Sequence, residues 1–304
     1  MTPLPKPDSI APADRLAAIT LAAEARIAAL QAGSGPDLTR RVDSAIALLD
    51  RAMPGRRYQD LPEELADLAA GDGAFPALLA ARLLAGVAAR RPARLVPDAV
   101  LPELSRQATR ILAADKPNLD DDVFRKDLSI CLLLSFPCVA QVVEQIGGIP
   151  RRALTSGGPG QALRLGAYLS RTGLRPGPYL EIHTHTPMLD GFNEAGWERC
   201  YELVAELLAA RPHCPGMVGG SWFYDPALAK ISPRLAYLAD TPIGGGAFRV
   251  RLGPSEEDAE LATATSSTRR ALVEAGTYVP TKWLLIWPRK ALLAWAAARR
   301  GEPR

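Results

Sequence analysis

Histidine is the scarcest reactive residue of this 304-residue chain: it has three, beside four cysteines and five tryptophans. Cys131, Cys138, Cys200 and Cys214 form no C-x-x-C pair and no structural-zinc spacing, which excludes the usual zinc knuckle and a thioredoxin-type redox pair. A reduced, cytoplasmic setting is the expectation. No stretch reaches the roughly 18 uncharged apolar residues that a membrane span needs, and SICLLLSFPCVAQVV is short and broken by Pro137. Asp14, Arg15, Glu24 and Arg26 interrupt the first thirty residues, so no secretion signal is expected. Also missing is a Lys/Arg block interleaved with aromatics. The net charge of +3 is spread along the chain, and no nucleic-acid partner is expected. Neither a P-loop nor a dinucleotide fingerprint occurs.

What is present divides into two textures. From Ala11 to about Ala114, Ala/Leu-rich segments alternate with Gly/Pro punctuation, which predicts about five helices. Asp37 reads as an N-cap, and Pro62 as a first-turn residue. This module, residues 1–118, serves as scaffold, or as a face for a protein partner or a homodimer. After DKPNLDDD the chain alternates strand and helix signals, so residues 119–304 are expected to form a mixed α/β domain. Strands are expected at 128–136, 138–145, 179–185, 217–224, 247–252 and 282–287, the first two being equally readable as buried helix. Helices are expected at 161–170, 193–210, 226–239 with a break near Pro233, 255–274 in one or two pieces, and 288–300.

The most concentrated chemistry is EIHTHTP, Glu181 to Pro187, with two of the three histidines. Alternation along a strand puts Tyr179, Glu181, His183 and His185 on one face and Leu180, Ile182 and Thr184 on the other. Same-face neighbours lie about 6.6 Å apart, close enough for His183 and His185 to share a metal ion. Glu181, some 13 Å from His185 by strand rise, is a poor third ligand, and His213 lies beyond a helix of about 27 Å. Asp190 and Glu194 are better placed to complete a site for zinc or iron. The stretch GPYLEIHTHTPMLDG echoes the first cupin motif in part, but ends in Asp190 where cupins have glutamate and leads into a helix. The alternative is proton transfer, with His183 or His185 as general base and Glu181 orienting it. The third reading is a polar strand end without chemistry.

Three glycine-rich stretches follow other logic. TSGGPGQALRLG reads as a flexible turn into a helix, with N–H groups free for an anion. GMVGGSWFYDPAL reads as a strand with Trp222 and Tyr224 on one face and Asp225 as a cap. PIGGGAF reads as a mobile loop entering a strand. All five tryptophans lie beyond residue 190, and Trp222 and Tyr224 are the candidates to line a substrate pocket.

Residues 216–289 resemble the core of the GNAT superfamily of acyl-CoA-dependent N-acyltransferases, in order and hydrophobic pattern. GMVGGSWFYDPALAKISPRLAYL is similar to its central strand and cofactor-binding helix, and STRRALVEAGTYVPTKWLLIWP to its later helix and closing strand. The resemblance implies a GNAT-like mixed sheet, an acyl-CoA donor, and transfer of an acyl or similar group to a small amine, with Trp222, Tyr224, Ser232 and Arg234 shaping the pocket. The family's signature, Q/R-x-x-G-x-G/A, is replaced here by AKISPRLAY, without glycine. Either Ser232 and Arg234 stand in for the missing backbone donors, the donor is not CoA, or the likeness is one of fold alone. A metal-dependent oxidoreductase or hydrolase, and a non-catalytic binding protein, remain the alternatives.

Overall fold

The computed structural model describes residues 10–32, 35–174 and 177–301. They form a mixed α/β structure of two compact units, one running to Ile146 and taking in Thr184–Gly191, the other comprising Gly147–His183 and the chain from Phe192. No helix among the described residues is long and apolar enough to cross a membrane.

The first unit begins with α1 (Pro12–Gln31), α2 (Pro36–Ala52), α3 (Glu64–Ala69), α4 (Phe75–Ala85), α5 (Val87–Arg90), α6 (Leu101–Leu112) and α7 (Asp122–Cys131). Helix α4, apolar but for Arg82, lies buried along nearly its whole length, from Phe75 to Leu84. It packs against α1, α2, α6 and α7. Helix α6 buries only the stripe Leu101, Leu104, Ala108 and Ile111, the spacing of one helical face, and adds a buried Gln107. At the start of α2, Gly35 holds the cap position, and Asp37 instead pairs with Arg40 and Arg41.

Of the stretch 128–136, open to strand or buried helix, residues 128–131 close α7 and only 135 and 136 are strand. Asp121 caps α7 by accepting the Val123 amide at 2.9 Å, and Phe124, Leu128 and Cys131 recur at helical spacing. Leu133, at φ 55°, ends the helical run, and the antiparallel hairpin β1 (Ser135–Cys138) and β2 (Gln141–Gly147) follows. Its turn is Val139-Ala140, with Val139 at φ 55°, a conformation a β-branched side chain adopts at a cost of about 1–2 kcal/mol. Gly191 lies against this turn: a Cβ there would sit 2.7 Å from the Val139 carbonyl oxygen.

The second unit contains α8 (Arg152–Thr155), α9 (Gly158–Thr172), β3 (Tyr179–His183), α10 (Glu194–Ala209), β4 (Gly216–Ser221), α11 (Leu228–Ile231) and α12 (Tyr237–Gly244). It ends with β5 (Phe248–Pro254), α13 (Glu256–Thr263), α14 (Ser267–Glu274), β6 (Thr281–Pro288) and α15 (Arg289–Arg300). Strands β3 and β4 are parallel, β6 is antiparallel to β4, and β5 is antiparallel to β6. One core gathers Tyr168, Leu165, Tyr179, Val218, Val250, Leu284 and Ile286.

Tyr179 is buried like Leu180 and Ile182, so β3 has apolar residues on both faces. Strand β4 stops at Ser221, and Trp222–Tyr224 turn away as 3-10 helix. The PIGGGAF glycines are a close contact: a Cβ on Gly245 would lie 2.3 Å from the Trp287 ring, whose Nε1 donates to the Gly245 carbonyl at 2.9 Å. The texture change near residue 118 does not mark the unit boundary, because α7, the hairpin and Thr184–Gly191 pack with the preceding helices.

Candidate functional site

The EIHTHTP motif does not stay on one strand face. β3 ends at His183, and the chain passes into a 3-10 segment, Thr186–Gly191. Glu181 and His183 belong to the second unit, whereas His185 and Asp190 belong to the first. Sequence alternation missed this because Pro187 removes a backbone donor and biases Thr186 away from helix without showing where the chain bends.

His185 is fully buried, and its Nε2 lies 2.8 Å from Asp127 Oδ1. Arg110 grips the same carboxylate with both terminal nitrogens, Nη1 at 3.0 Å from Oδ2 and Nη2 on Oδ1, while its Nε donates to Gln107 Oε1 at 2.8 Å. A guanidinium only donates, so its 3.4 Å approach to His185 Nε2 reflects the shared anion and not a bond between the two. The geometry therefore makes Nε2 the protonated nitrogen facing Asp127. His185 Nδ1 is buried without a hydrogen-bond partner.

A second set of charges lies one residue earlier on α7. Lys126 Nζ donates to Asp122 Oδ2 at 2.7 Å and to the Thr184 carbonyl at 3.0 Å, and lies 5.2 Å from the Tyr58 ring centre. Burial alone would raise the Asp122 pKa. The Lys126 ammonium, the Tyr58 hydroxyl and the charge of His185 outweigh it and hold the carboxyl below the ordinary aspartate value. Burial, then the Asp122 and Glu144 charges, push the Tyr58 phenol far up. Together these bonds tie Thr184–Gly191 to α6 and α7. Asp190, itself exposed, pairs with Arg106 at 2.9 Å.

The proposed metal ligands do not gather. Glu194 is exposed in the first turn of α10, and no three His, Cys, Asp or Glu side chains among the described residues come within reach of one ion. In the glycine stretch at 157–160, Gln161 folds back, donating to the Ala153 and Arg251 carbonyls at 2.8 and 3.0 Å and accepting the Arg251 amide at 2.9 Å. The cleft of about 580 Å³ beside Ile27, Ile46, Arg82 and Arg90 contains none of the residues nominated from sequence, and its arginines already pair with Asp43 and Asp50.

In the second unit the nominated pocket residues separate into core and site. Tyr224 is core: 1 % exposed, it packs edge-on against Phe223 at 4.9 Å, and burial drives its phenol far above the ordinary value. Trp222 begins at the carboxyl end of β4, its amide held by Asp258 Oδ1 at 3.1 Å. Asp258, also buried, takes the Ser255 hydroxyl and lies 3.5 Å from Lys282 Nζ. Over the Trp222 ring, 4.8 Å from its centre, sits the guanidinium of Arg269.

Arg269 was not legible as a site residue. It lies next to Arg270 on an ordinary helix, 37 positions from Ser232, whose hydroxyl its Nη1 reaches at 3.2 Å. Its Nε donates to the Ala262 carbonyl. The side chain is 3 % exposed, yet among the described residues no carboxylate pairs with it. Burial, and then the neighbouring Arg234 charge, pull the guanidinium below the ordinary arginine value. Taking such an ion out of water costs several kcal/mol, of which a desolvated cation–π contact returns about 2 kcal/mol. Arg234 itself is exposed in the 3-10 turn Pro233–Leu235, and it has no ion-pair partner among the described residues.

The chain matches no protein-family model, no curated protein and no solved structure, so its chemistry is read from these residues alone.

Proposed function

We propose that the second unit transfers an acyl or similar group to the amine of a small molecule, at the end of the sheet where β3 and β4 finish. One observation supports this reading most. β3 and β4 run parallel, pairing Leu180 with Met217 and Glu181 with Val218, which directs the carboxyl ends of both strands to the same side. Ligands of open α/β sheets bind outside such ends. His183 closes β3 and Trp222 follows β4, so an imidazole, an aromatic wall and the Ser232/Arg234 turn belong to that side.

In this reading His183, half-buried with its Nε2 enclosed, is the general base, and His185 is not, its Nε2 being held by Asp127 beside Arg110. Glu181, two residues before His183 on the same strand face, is a positioning residue. His183 takes the amine proton as nitrogen attacks the donor carbonyl. The carbon–nitrogen bond forms, the carbon–sulfur bond of a thioester donor breaks, and the departing thiolate receives the proton. The resemblance of residues 216–289 to acyl-CoA-dependent transferases gives the donor class. The helix is broken at Ser232-Pro233-Arg234, where Pro233 offers no backbone N–H.

The test is thermal unfolding across a panel of acyl-CoAs, followed by transfer assays with a panel of amines. Saturable protection is expected, about 2.7 kcal/mol when the donor stands at a hundred times its Kd. His183→Ala should then lower kcat by about 10²–10⁴ with the fold intact. Absence of both protection and transfer across the panels overturns the proposal.

A further inference from the structure

Arg269, at 3 % exposed, is the most enclosed arginine among the described residues. Arg110 has Asp127, and Arg211 and Arg289 turn to backbone carbonyls at a helix end, where the helix dipole is negative. Arg269 differs. Nε and Nη1 are spent on a carbonyl and a hydroxyl, and the remaining terminal nitrogen, Nη2, has no partner among the described residues. Besides burial, the side chains that act on its charge are the Arg234 guanidinium, which lowers its pKa, and the Tyr278 phenol, which raises it. Tyr278 is 4 % exposed and its hydroxyl has no hydrogen-bond partner. Burial, foremost, and the Asp225 charge hold its pKa up at about 12, so it stays a donor.

The nearby carboxylates are engaged elsewhere. Asp258 holds the Trp222 amide and the Ser255 hydroxyl, with Lys282 beside it. Asp225 accepts the Ala227 amide at 2.9 Å. Arg269 thus meets the Ser232 hydroxyl and the face of Trp222, which packs with Leu228 and Ala262, and no carboxylate among the described residues pairs with it.

We propose that Arg269, Arg234, Ser232 and Tyr278 form a binding site for the phosphate of a small phosphomonoester. A phosphomonoester carries nearly two negative charges near neutral pH, matching the two guanidinium groups, whereas a carboxylate would leave one charge over. Arg269 is the anchor because its fork is already fixed by Ala262, Ser232 and the Trp222 face, so binding orders little else. That this phosphomonoester is the amine acceptor rests on the transfer reading above. The anion site itself does not.

The experiment titrates the whole protein with inorganic phosphate, methyl phosphate and acetate at constant ionic strength, by calorimetry and by phosphorus line broadening. Saturable binding of both phosphates is expected, tighter than acetate by about tenfold or more. Arg234→Gln, at an exposed position that should not endanger the fold, is expected to weaken phosphate by about tenfold. Arg269→Lys keeps the charge but not the fork, and should weaken it at least as much. A linear phosphate titration overturns the site, as does unchanged affinity in Arg234→Gln, which remains informative if Arg269 variants do not fold. Acyl-CoA protection is then measured with phosphate present. Independent effects support the acceptor assignment, and mutual exclusion overturns it. Phosphate binding without any acyl-CoA effect leaves the anion site standing and removes the transfer reading.

Discussion

Two buried arginine clusters show opposite ways of holding a cation. In the first unit Arg110 meets Asp127 through both terminal nitrogens, His185 adds a third group, and Gln107 takes the last guanidinium nitrogen. In the second unit Arg269 is the more enclosed of the two arginines, yet it meets only a carbonyl, a hydroxyl and an indole face. The first arrangement is closed, with its charge satisfied by the chain itself. The second is open, with a donor and a charge left over. Closed networks fix segments in place, here Thr184–Gly191, while an open one is what a ligand can complete.

The largest effect expected from this contrast is at Asp127. Asp127→Ala leaves Arg110 and His185 enclosed without their anion, and should cost about 3 kcal/mol or more in a urea titration. Because the same carboxylate ties down the segment after His183, faster amide exchange is expected at Met188, whose N–H is bonded to the His185 carbonyl at 2.8 Å. A loss under 1 kcal/mol would mean that the cluster is not closed in the sense argued here.

Arg269→Met is expected to behave quite differently. It removes a cation that has no anion, and forfeits about 1 kcal/mol for the Ala262 and Ser232 bonds, so the two changes should nearly cancel. The unfolding midpoint in the absence of ligand should move little, while phosphate binding disappears. A cost equal to that of Asp127→Ala would make the two clusters alike and end the distinction.

Residue by residue, the architecture was more legible than the site. Alternation located β3 to β6, and the helix starts expected at 193 and 255 are capped by Asn193 and Ser255, which accept amides inside the following turns. The hairpin was obscure because its turn, Val139-Ala140, lacks the glycine or asparagine that announces positive φ. Ser232 and Arg234 entered through the resemblance of residues 216–289 and Trp222 through its glycine-bearing strand, and Arg269 reaches both Ser232 and Trp222. Arg269 and Asp127 were not legible. Each sits on a helix where a charge normally means solvent, and only three-dimensional burial separates them from their exposed neighbours Arg270 and Lys126's partner Asp122.

The smallest predicted effect concerns the sign of two aspartates, one in each unit. Asp122 titrates below the ordinary 3.8 in the folded chain, so its contribution is present above the unfolded value and is lost as pH falls through the lower, folded one. Asp225 titrates above 3.8, because burial outweighs the Ala227 and Thr281 amides and the Arg249 and Arg251 charges. Its folded state binds the proton more tightly, so stability is greatest below the unfolded value and declines as pH rises through the folded one. Asp122→Asn should therefore flatten the acid limb of the stability curve. Asp225→Asn, which keeps an oxygen for the Ala227 amide, should raise the unfolding midpoint slightly at neutral pH and remove the decline that sets in as pH rises above the ordinary 3.8. Asp122, half-exposed beside Lys126, has the weaker lever, since solvent screens a pair of that kind. If both variants shift the curve in the same direction, the opposed electrostatics of the two units are not what sets the acid limb. If they oppose each other as expected, the second unit carries a standing cost for its buried charges, and a bound anion facing Arg269 and Arg234 would act on that same balance.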